Sequence, residues 1–381
     1  MKAVIAIDSL KGSLTSLQAG DAIREGILRA YRDASVLVRP LADGGEGTVE
    51  ALTLGMGGQL QTVRVSGPLG TPADAVYGIL NDGVTAVIEM SAAAGITMVS
   101  EKERNPLHTT TFGVGEMIAD AIRKGCRKFI VGIGGSATND GGAGMLQALG
   151  FGMFDREGNP IAFGARGLEH LAAITEDSVI PELKHCEFRI ACDVNNPLCG
   201  DNGCSAIFGP QKGATTSMIM QMDRWLNQYA ALAKNLHPES DPDYPGSGAA
   251  GGLGFAFRTF LHGVLESGIS IVLEETRLED YVKDADIVVT GEGRLDAQTV
   301  MGKAPSGVAD TAKKYGKPVI AFSGAVTQDA VLCNEHGIDA FFPIVRGVST
   351  LDDAMNSENA HRNMADTVEQ VFRLIKTIRG E

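Results

Sequence analysis

Eight short apolar runs punctuate the chain at residues 4–7, 36–38, 86–90, 129–133, 189–192, 287–289, 319–322 and 340–344. None of them alternates polar and apolar positions, so each reads as a strand buried on both faces, the pattern of a parallel sheet. Between them the apolar period lengthens to that of helices. Met364, Val368, Val371, Ile375 and Ile378 fall on one stripe of a final helix that stops near Gly380. A second long helix is expected from a capping cluster at Thr215, Thr216 and Ser217 to His237–Pro238, with Met218, Met222, Trp225 and Tyr229 facing inward. Strands alternating with helices predict an α/β fold.

Two segments break the rhythm. Residues 61–81 alternate polar and apolar positions around Gly67-Pro68, which predicts an antiparallel hairpin with one wet face. Residues 238–254 are rich in Pro, Asp, Gly and Ser and read as a lid or hinge. At 381 residues the chain exceeds one ordinary core. The expected organisation is a parallel-sheet domain built from both chain ends, residues 1–62 and 287–381. A second, mixed α/β domain, residues 63–286, is inserted between them.

Composition narrows the function. A net charge of −14 argues against a nucleic-acid partner. No apolar run is long enough for a membrane span, and the first apolar stretch ends on Asp8 as a strand would, not as a secretion signal does; a cytoplasmic location is expected. Cys186, Cys192, Cys199 and Cys204 cluster, but without a C-x-x-C pair, so reduced thiols are expected rather than a zinc site.

The residues just beyond the strands carry the chemistry. The first strand runs into Asp8, Ser9, Lys11 and Gly12, and the second into Asp43, Gly44, Gly45 and Glu46. The run at 129–133 leads to Gly134, Gly135, Ser136, Thr138, Asn139 and Asp140. The run at 189–192 leads to Asp193 and Asn195, and that at 287–289 to Gly291, Glu292, Gly293, Arg294 and Asp296. In open α/β sheets ligands bind beyond these carboxyl ends. Glycines admit a phosphate to the backbone, while the carboxylates beside them require a hard cation such as Mg²⁺ between. Lys11, Lys212 and Lys303 supply fixed positive charge for phosphoryl transfer. The set is that of a kinase, although no P-loop and no protein-kinase signature occurs. Gly132-x-Gly134-x-x-Ala137, with Asp155 18 residues on, loosely matches a dinucleotide fingerprint and leaves an NAD-dependent oxidoreductase as the competing enzyme. A small-molecule sensor without turnover is the non-enzymatic alternative; a scaffold lacks any supporting heptad or charge run.

The stretches DSLKGSLT from Asp8, LADGGEGT from Leu41, GIGGSATNDGG from Gly132 and DVNNPLCG from Asp193 resemble the bacterial glycerate kinase family. So do FGPQKGA from Phe208, GAAGGLG from Gly248, TGEGRLDAQT from Thr290 and GKAPSGVA from Gly302. The departures are small: Leu10 where an aromatic is frequent, and Cys204-Ser205 where small alanines are expected. The resemblance implies two different α/β domains, one Rossmann- or flavodoxin-like, with the active site in the cleft between them. It implies transfer of the γ-phosphate of ATP, with Mg²⁺, to D-glycerate. The implied product is 2-phosphoglycerate, with 3-phosphoglycerate as the alternative, in catabolism of glycolate or sugar acids. The assembly, monomer or homo-oligomer, stays open.

Roles are assigned by chemistry. Asp193, Glu292 and Asp8 are the acids that orient the hydroxyl or hold metal, Asp193 and Glu292 being the metal candidates. Each has the alternative of capping a helix. Lys11 contacts a phosphate or the substrate carboxylate. Arg294 forks onto a carboxylate, unless Asp296 pairs with it. Ser136, Thr138 and Asn139 bond phosphate or substrate, or else form a turn before a helix. Lys212, on an expected mobile loop, closes over phosphates. Ser9, Asp43, Gly44, Gly45, Asn195 and Lys303 complete the binding set.

Overall fold

The computed structural model describes residues 1–380. In chain order its strands are β1 (Lys2–Ile7), β2 (Ser35–Pro40), β3 (Gln59–Ser66), β4 (Pro72–Ile79), β5 (Thr85–Glu89), β6 (Lys128–Gly132) and β7 (Gly152–Phe154). They continue with β8 (Ala173–Thr175), β9 (Glu187–Ala191), β10 (Val264–Glu266), β11 (Ile287–Leu295), β12 (Val319–Val326) and β13 (Ala340–Pro343). All eight apolar runs fall in strands: β1, β11 and β12 are buried over most of their length, as strands covered on both faces are, whereas the edge strands β2 and β13 are half-exposed.

The chain divides into two compact units: residues 1–43, 50–56 and 269–381 form the first, residues 44–49 and 57–268 the second. The division therefore falls at 268/269, earlier in the chain than the expected 286/287. Residues 269–286 pack with the first unit because Arg39 of β2 holds them. Its Nη2 donates to the Thr276 carbonyl at 2.6 Å and its guanidinium lies 4.6 Å from the centre of the Tyr281 ring.

The first unit is a five-stranded sheet in the order β13-β12-β11-β1-β2, every pair parallel. Numbered within the unit this is 2-1-3-4-5, the flavodoxin-like order, whose direction of winding reverses between β1 and β11. Helix Ser16–Ala30 packs Ala19, Ile23 and Ile27 into the core on one face, joined by Met364, Val368 and Phe372 of helix Ser357–Arg379. That last helix ends with Gly380 in the left-handed conformation, as expected, but Ile378 is exposed because the stripe outruns the sheet it covers.

The second unit holds a mixed six-stranded sheet, β10-β9-β6-β5-β4-β3, with β3–β4 an antiparallel hairpin whose register pairs Ser66 with Pro72, and a separate β7–β8 ribbon. Helix Thr216–Leu236 is capped by Thr215 and buries Met222, Trp225 and Tyr229. The stretch expected to be a lid is not one throughout. Residues 247–249 and 251–254 are buried, and Ala250, Gly251 and Gly252 take three successive left-handed conformations inside helix Ala249–Phe260. Gly251 is required there, since a Cβ would collide with the Thr138 carbonyl.

Candidate active site

The winding reversal between β1 and β11 sets the first group of side chains. The Asp8 N–H donates to the Gly291 carbonyl at 3.0 Å, which places Asp8 beside Glu292 at the carboxyl ends of two neighbouring strands. Beyond Asp8 the chain makes a tight loop. Leu10 and Leu14 exchange backbone hydrogen bonds of 2.9 and 3.0 Å around Gly12, whose φ of +77° suits only glycine. Thr15 then caps helix Ser16–Ala30, with Gln18 completing the capping box.

Ser16 locks two strand ends together. Its buried hydroxyl donates to the Ile7 carbonyl at 2.7 Å and accepts from the Leu41 N–H at 3.1 Å, fixing Asp8 and Asp43 relative to each other. Nothing in a helix-start serine distinguishes this role in sequence. Ser16→Ala is expected to cost about 1–3 kcal/mol in urea unfolding, because two backbone groups lose their partner.

Asp8, Ser9, Lys11, Asp43, Glu292, Gly293, Arg294 and Lys303 line one pocket of ≈ 360 Å³. Thr299 anchors its far wall: its hydroxyl donates to Glu292 Oε1 at 2.7 Å and accepts from the Asp296 N–H at 3.1 Å. Arg294 grips Asp296 Oδ2 through Nε at 3.0 Å and Nη2 at 2.9 Å. The Lys303 ammonium stands 3.9 Å from both Glu292 and Asp296.

Burial dominates the electrostatics. It pushes the Asp8 carboxyl up to about 7, helped by the neighbouring Asp43 and opposed by the Ser9 N–H at 2.7 Å and by Lys11. Glu292 is also raised by burial, against the Thr299 hydroxyl and Lys303. A carboxyl that exchanges its proton near neutrality is suited to general base work.

In the second unit the loop after β6 is drawn inward. Asp140 is fully buried and accepts from Thr111 N–H and hydroxyl at 2.8 and 2.9 Å and from the Gly142 and Gly144 N–H groups at 3.2 and 3.4 Å. The Asn139 amide donates to Ser205 at 2.8 Å, and the Lys212 ammonium donates to the Thr138 carbonyl at 2.6 Å. Asp193, exposed after β9, accepts from the Gly268 N–H at 3.1 Å.

A model of the glycerate kinase family matches residues 3–376. The chain belongs to the glycerate kinase family. It is 48% identical to the glycerate 2-kinase of Escherichia coli strain K12, covering 97% of this chain and 98% of that one. It is 47% identical to the glycerate kinase of Haemophilus influenzae, covering 98% and 99%. A solved structure of a Salmonella typhimurium LT2 protein matches with a TM-score of 0.92 and 46% identity over 100% of this chain and 99% of that one. The family is one of ATP-dependent kinases, the enzyme class its motifs implied.

Within this glycerate kinase family member the expected site residues fall into three groups. Asp8, Ser9, Lys11, Asp43, Glu292, Arg294 and Lys303 share the pocket of the first unit, with Asp296 at its wall. Arg294 is already engaged by Asp296, the alternative that its sequence neighbourhood offered. Asp193 and Asn195 are exposed in the second unit, and Gly44 packs there against Ala191 and Gly268 while Gly45 stands beside Gly134.

The third group is buried in the second unit. Lys212 does not reach out over solvent: it belongs to the surface turn Pro210–Lys212, but its own side chain is turned inward, 2% exposed, and burial holds its ammonium down at about 8. Thr138 and Asn139 have no exposed surface: the Thr138 carbonyl receives Lys212 and the Asn139 amide nitrogen donates to Ser205, while the Thr138 hydroxyl and Asn139 Oδ1 are buried without a hydrogen-bond partner; Ser136 is 9% exposed. The dinucleotide fingerprint also fails, because the helix after β6 starts at Ala143, six residues beyond Ala137, and Gly134 opens no helical turn. No helix among the described residues is long and apolar enough to cross a membrane.

Proposed function

We propose that this chain is a cytoplasmic glycerate 2-kinase that transfers the γ-phosphoryl group of ATP to the C2 hydroxyl of D-glycerate, releasing 2-phosphoglycerate and ADP. The observation that carries the chemistry is the Asp8 carboxyl, poised near neutrality in a pocket of interleaved acids and ammonium groups at the winding reversal. The acceptor and the position of transfer rest on the likeness to the Escherichia coli glycerate 2-kinase.

Asp8 aligns the acceptor hydroxyl and takes its proton as the oxygen bonds to the γ-phosphorus. The bond from that phosphorus to the bridging oxygen breaks, and its electron pair leaves with ADP. Lys11 and Lys303 offset the charge that develops on the transferred oxygens. Asp193 remains proposed as an acid that orients the acceptor hydroxyl or holds metal, and Asn195 as a side chain that binds the acceptor.

Mg²⁺ fits the first unit by the chemistry of its donors: Asp8, Asp43 and Glu292 are hard oxygen ligands whose mutual repulsion adds to burial in raising Asp8. Among the described residues no three metal-ligating side chains form a ready-made cage. That suits a cation held by one or two carboxylates together with substrate phosphates. Asp43 and Glu292 would hold it, and bound there it would neutralise phosphate charge.

The test is ³¹P and ¹H NMR of the purified protein with D-glycerate, ATP and Mg²⁺. The expected result is a phosphate ester on C2. An ester on C3 would leave a kinase and overturn the regiochemistry. No ester, with ATP intact, would overturn the activity.

A further inference from the structure

A second cavity, of ≈ 400 Å³, opens over the carboxyl ends of β11, β12 and β13 in the first unit, and its character is opposite to that of the charged pocket. Leu10, Ile344, Leu351, Ala354 and Met355 give it apolar walls, and Gly324 leaves room between them. Helix Leu351–Met355 closes one side. It is held close by Gly12, where a Cβ would lie only 2.8 Å from the Met355 methyl carbon. Leu351 is 76% exposed, an unusual position for a leucine at the mouth of a cavity unless something covers it.

Two residues, Lys11 and Gly293, line both this cavity and the charged pocket, so the two spaces adjoin at these residues. A ligand filling both must be amphipathic, with an apolar flat end and a polyanionic tail. Glycerate, small and polar throughout, has no use for the apolar end. A nucleoside triphosphate has the required form.

We propose that this cavity seats the adenine nucleoside of ATP, with the phosphates passing Lys11 and Gly293 into the charged pocket. The inference rests on the kinase reading above and adds to it the place of the base. Polar groups are few but present. The Ser13 hydroxyl lines the cavity, is buried, and has no hydrogen-bond partner in the protein. Asn363 also lines it, and its amide offers the donor and acceptor together that an adenine edge can use. The location agrees with the rule that ligands of this strand order bind at the reversal and spread over the neighbouring strand ends.

The test fills the cavity. Ala354→Phe places a ring in it from a half-buried position on helix Leu351–Met355. Leu351→Asp, at an exposed position that cannot affect folding through packing, gives the same readout if the first variant does not fold. Calorimetry with Mg²⁺ compares ADP with inorganic tripolyphosphate on wild type and variant. ADP affinity is expected to fall by about tenfold or more while tripolyphosphate binding changes by less than about twofold. In steady-state assays KM for ATP should rise by a similar factor, with KM for glycerate unmoved. Unchanged ADP affinity would overturn the proposal, as would equal loss of ADP and tripolyphosphate. Because ADP binding is read without turnover, a wild-type protein that fails to phosphorylate glycerate would sink the kinase reading separately.

Discussion

Asp8→Asn is expected to lower kcat by about 10²–10⁴-fold and at the same time to make the ligand-free protein more stable above pH 7. The two effects share one cause. Burial and Asp43 raise the Asp8 carboxyl to about 7, from 3.8 in a free chain. Between those values the folded state holds a proton that the unfolded state has released. Stability is therefore greatest below the unfolded value and declines as pH rises through the folded one. Holding the carboxylate ionised in the pocket costs on the order of 4 kcal/mol at pH 8. The amide has no such cost. The melting-temperature gap between variant and wild type should thus open from pH 4 to pH 7 and then level off. In the wild type, kcat/KM should climb with unit slope up to about pH 7, as it must when the ionised form is the base. A variant with full kcat would remove Asp8 from catalysis. A stability gap independent of pH would remove the proposed cause.

Gly291→Ala should be nearly as damaging by a purely steric route. Gly291 lies in β11, between β1 and β12, with φ of +154°. It receives the Asp8 N–H on one side and pairs with Phe322 on the other. A Cβ there would run into the Phe322 carbonyl oxygen and approach the Ile7 side chain at 3.1 Å. Backbone cannot yield as a side-chain tip can, so the sheet must spread at the point that positions Asp8 and Glu292. The expected loss is about 3 kcal/mol or more in denaturant unfolding, with activity falling further than stability alone accounts for. An alanine variant with wild-type unfolding and turnover would contradict the geometry.

Much of the fold is legible in the chain because parallel strands leave an unambiguous trace. A strand covered by helices on both faces reads as an unbroken apolar run, and all eight such runs are strands. The three-residue strands β7, β8 and β10 leave none, since three residues carry no period. The groups after β1, β2 and β11 are legible for a related reason: polar residues directly after a buried strand stand at the sheet's ligand-binding edge.

Burial decides the failures. Gly-Pro-Gln-Lys-Gly reads locally as a surface turn, and only the fold shows the Lys212 ammonium turned inward onto the Thr138 carbonyl. The glycines at 248–254 read as freedom of movement. They are there for lack of space, as the close approach of Gly251 to Thr138 shows. Ser16 carries no local sign, because its two partners, Ile7 and Leu41, come from different strand ends.

The pairing of Ala3 with Ile287 sets an order on biosynthesis. The amino-terminal strands β1 and β2 leave the ribosome first, yet the neighbour that completes the sheet on the Glu292 side emerges more than two-thirds of the chain later. The second unit, nearly continuous in sequence, has all its strands available before β11 is made. Until then Asp8 and Asp43 wait on an open sheet edge, without the Lys303 and Glu292 half of their pocket. A chain ending before β11 lacks that half of the pocket, and a product truncated there is expected to show no kinase activity.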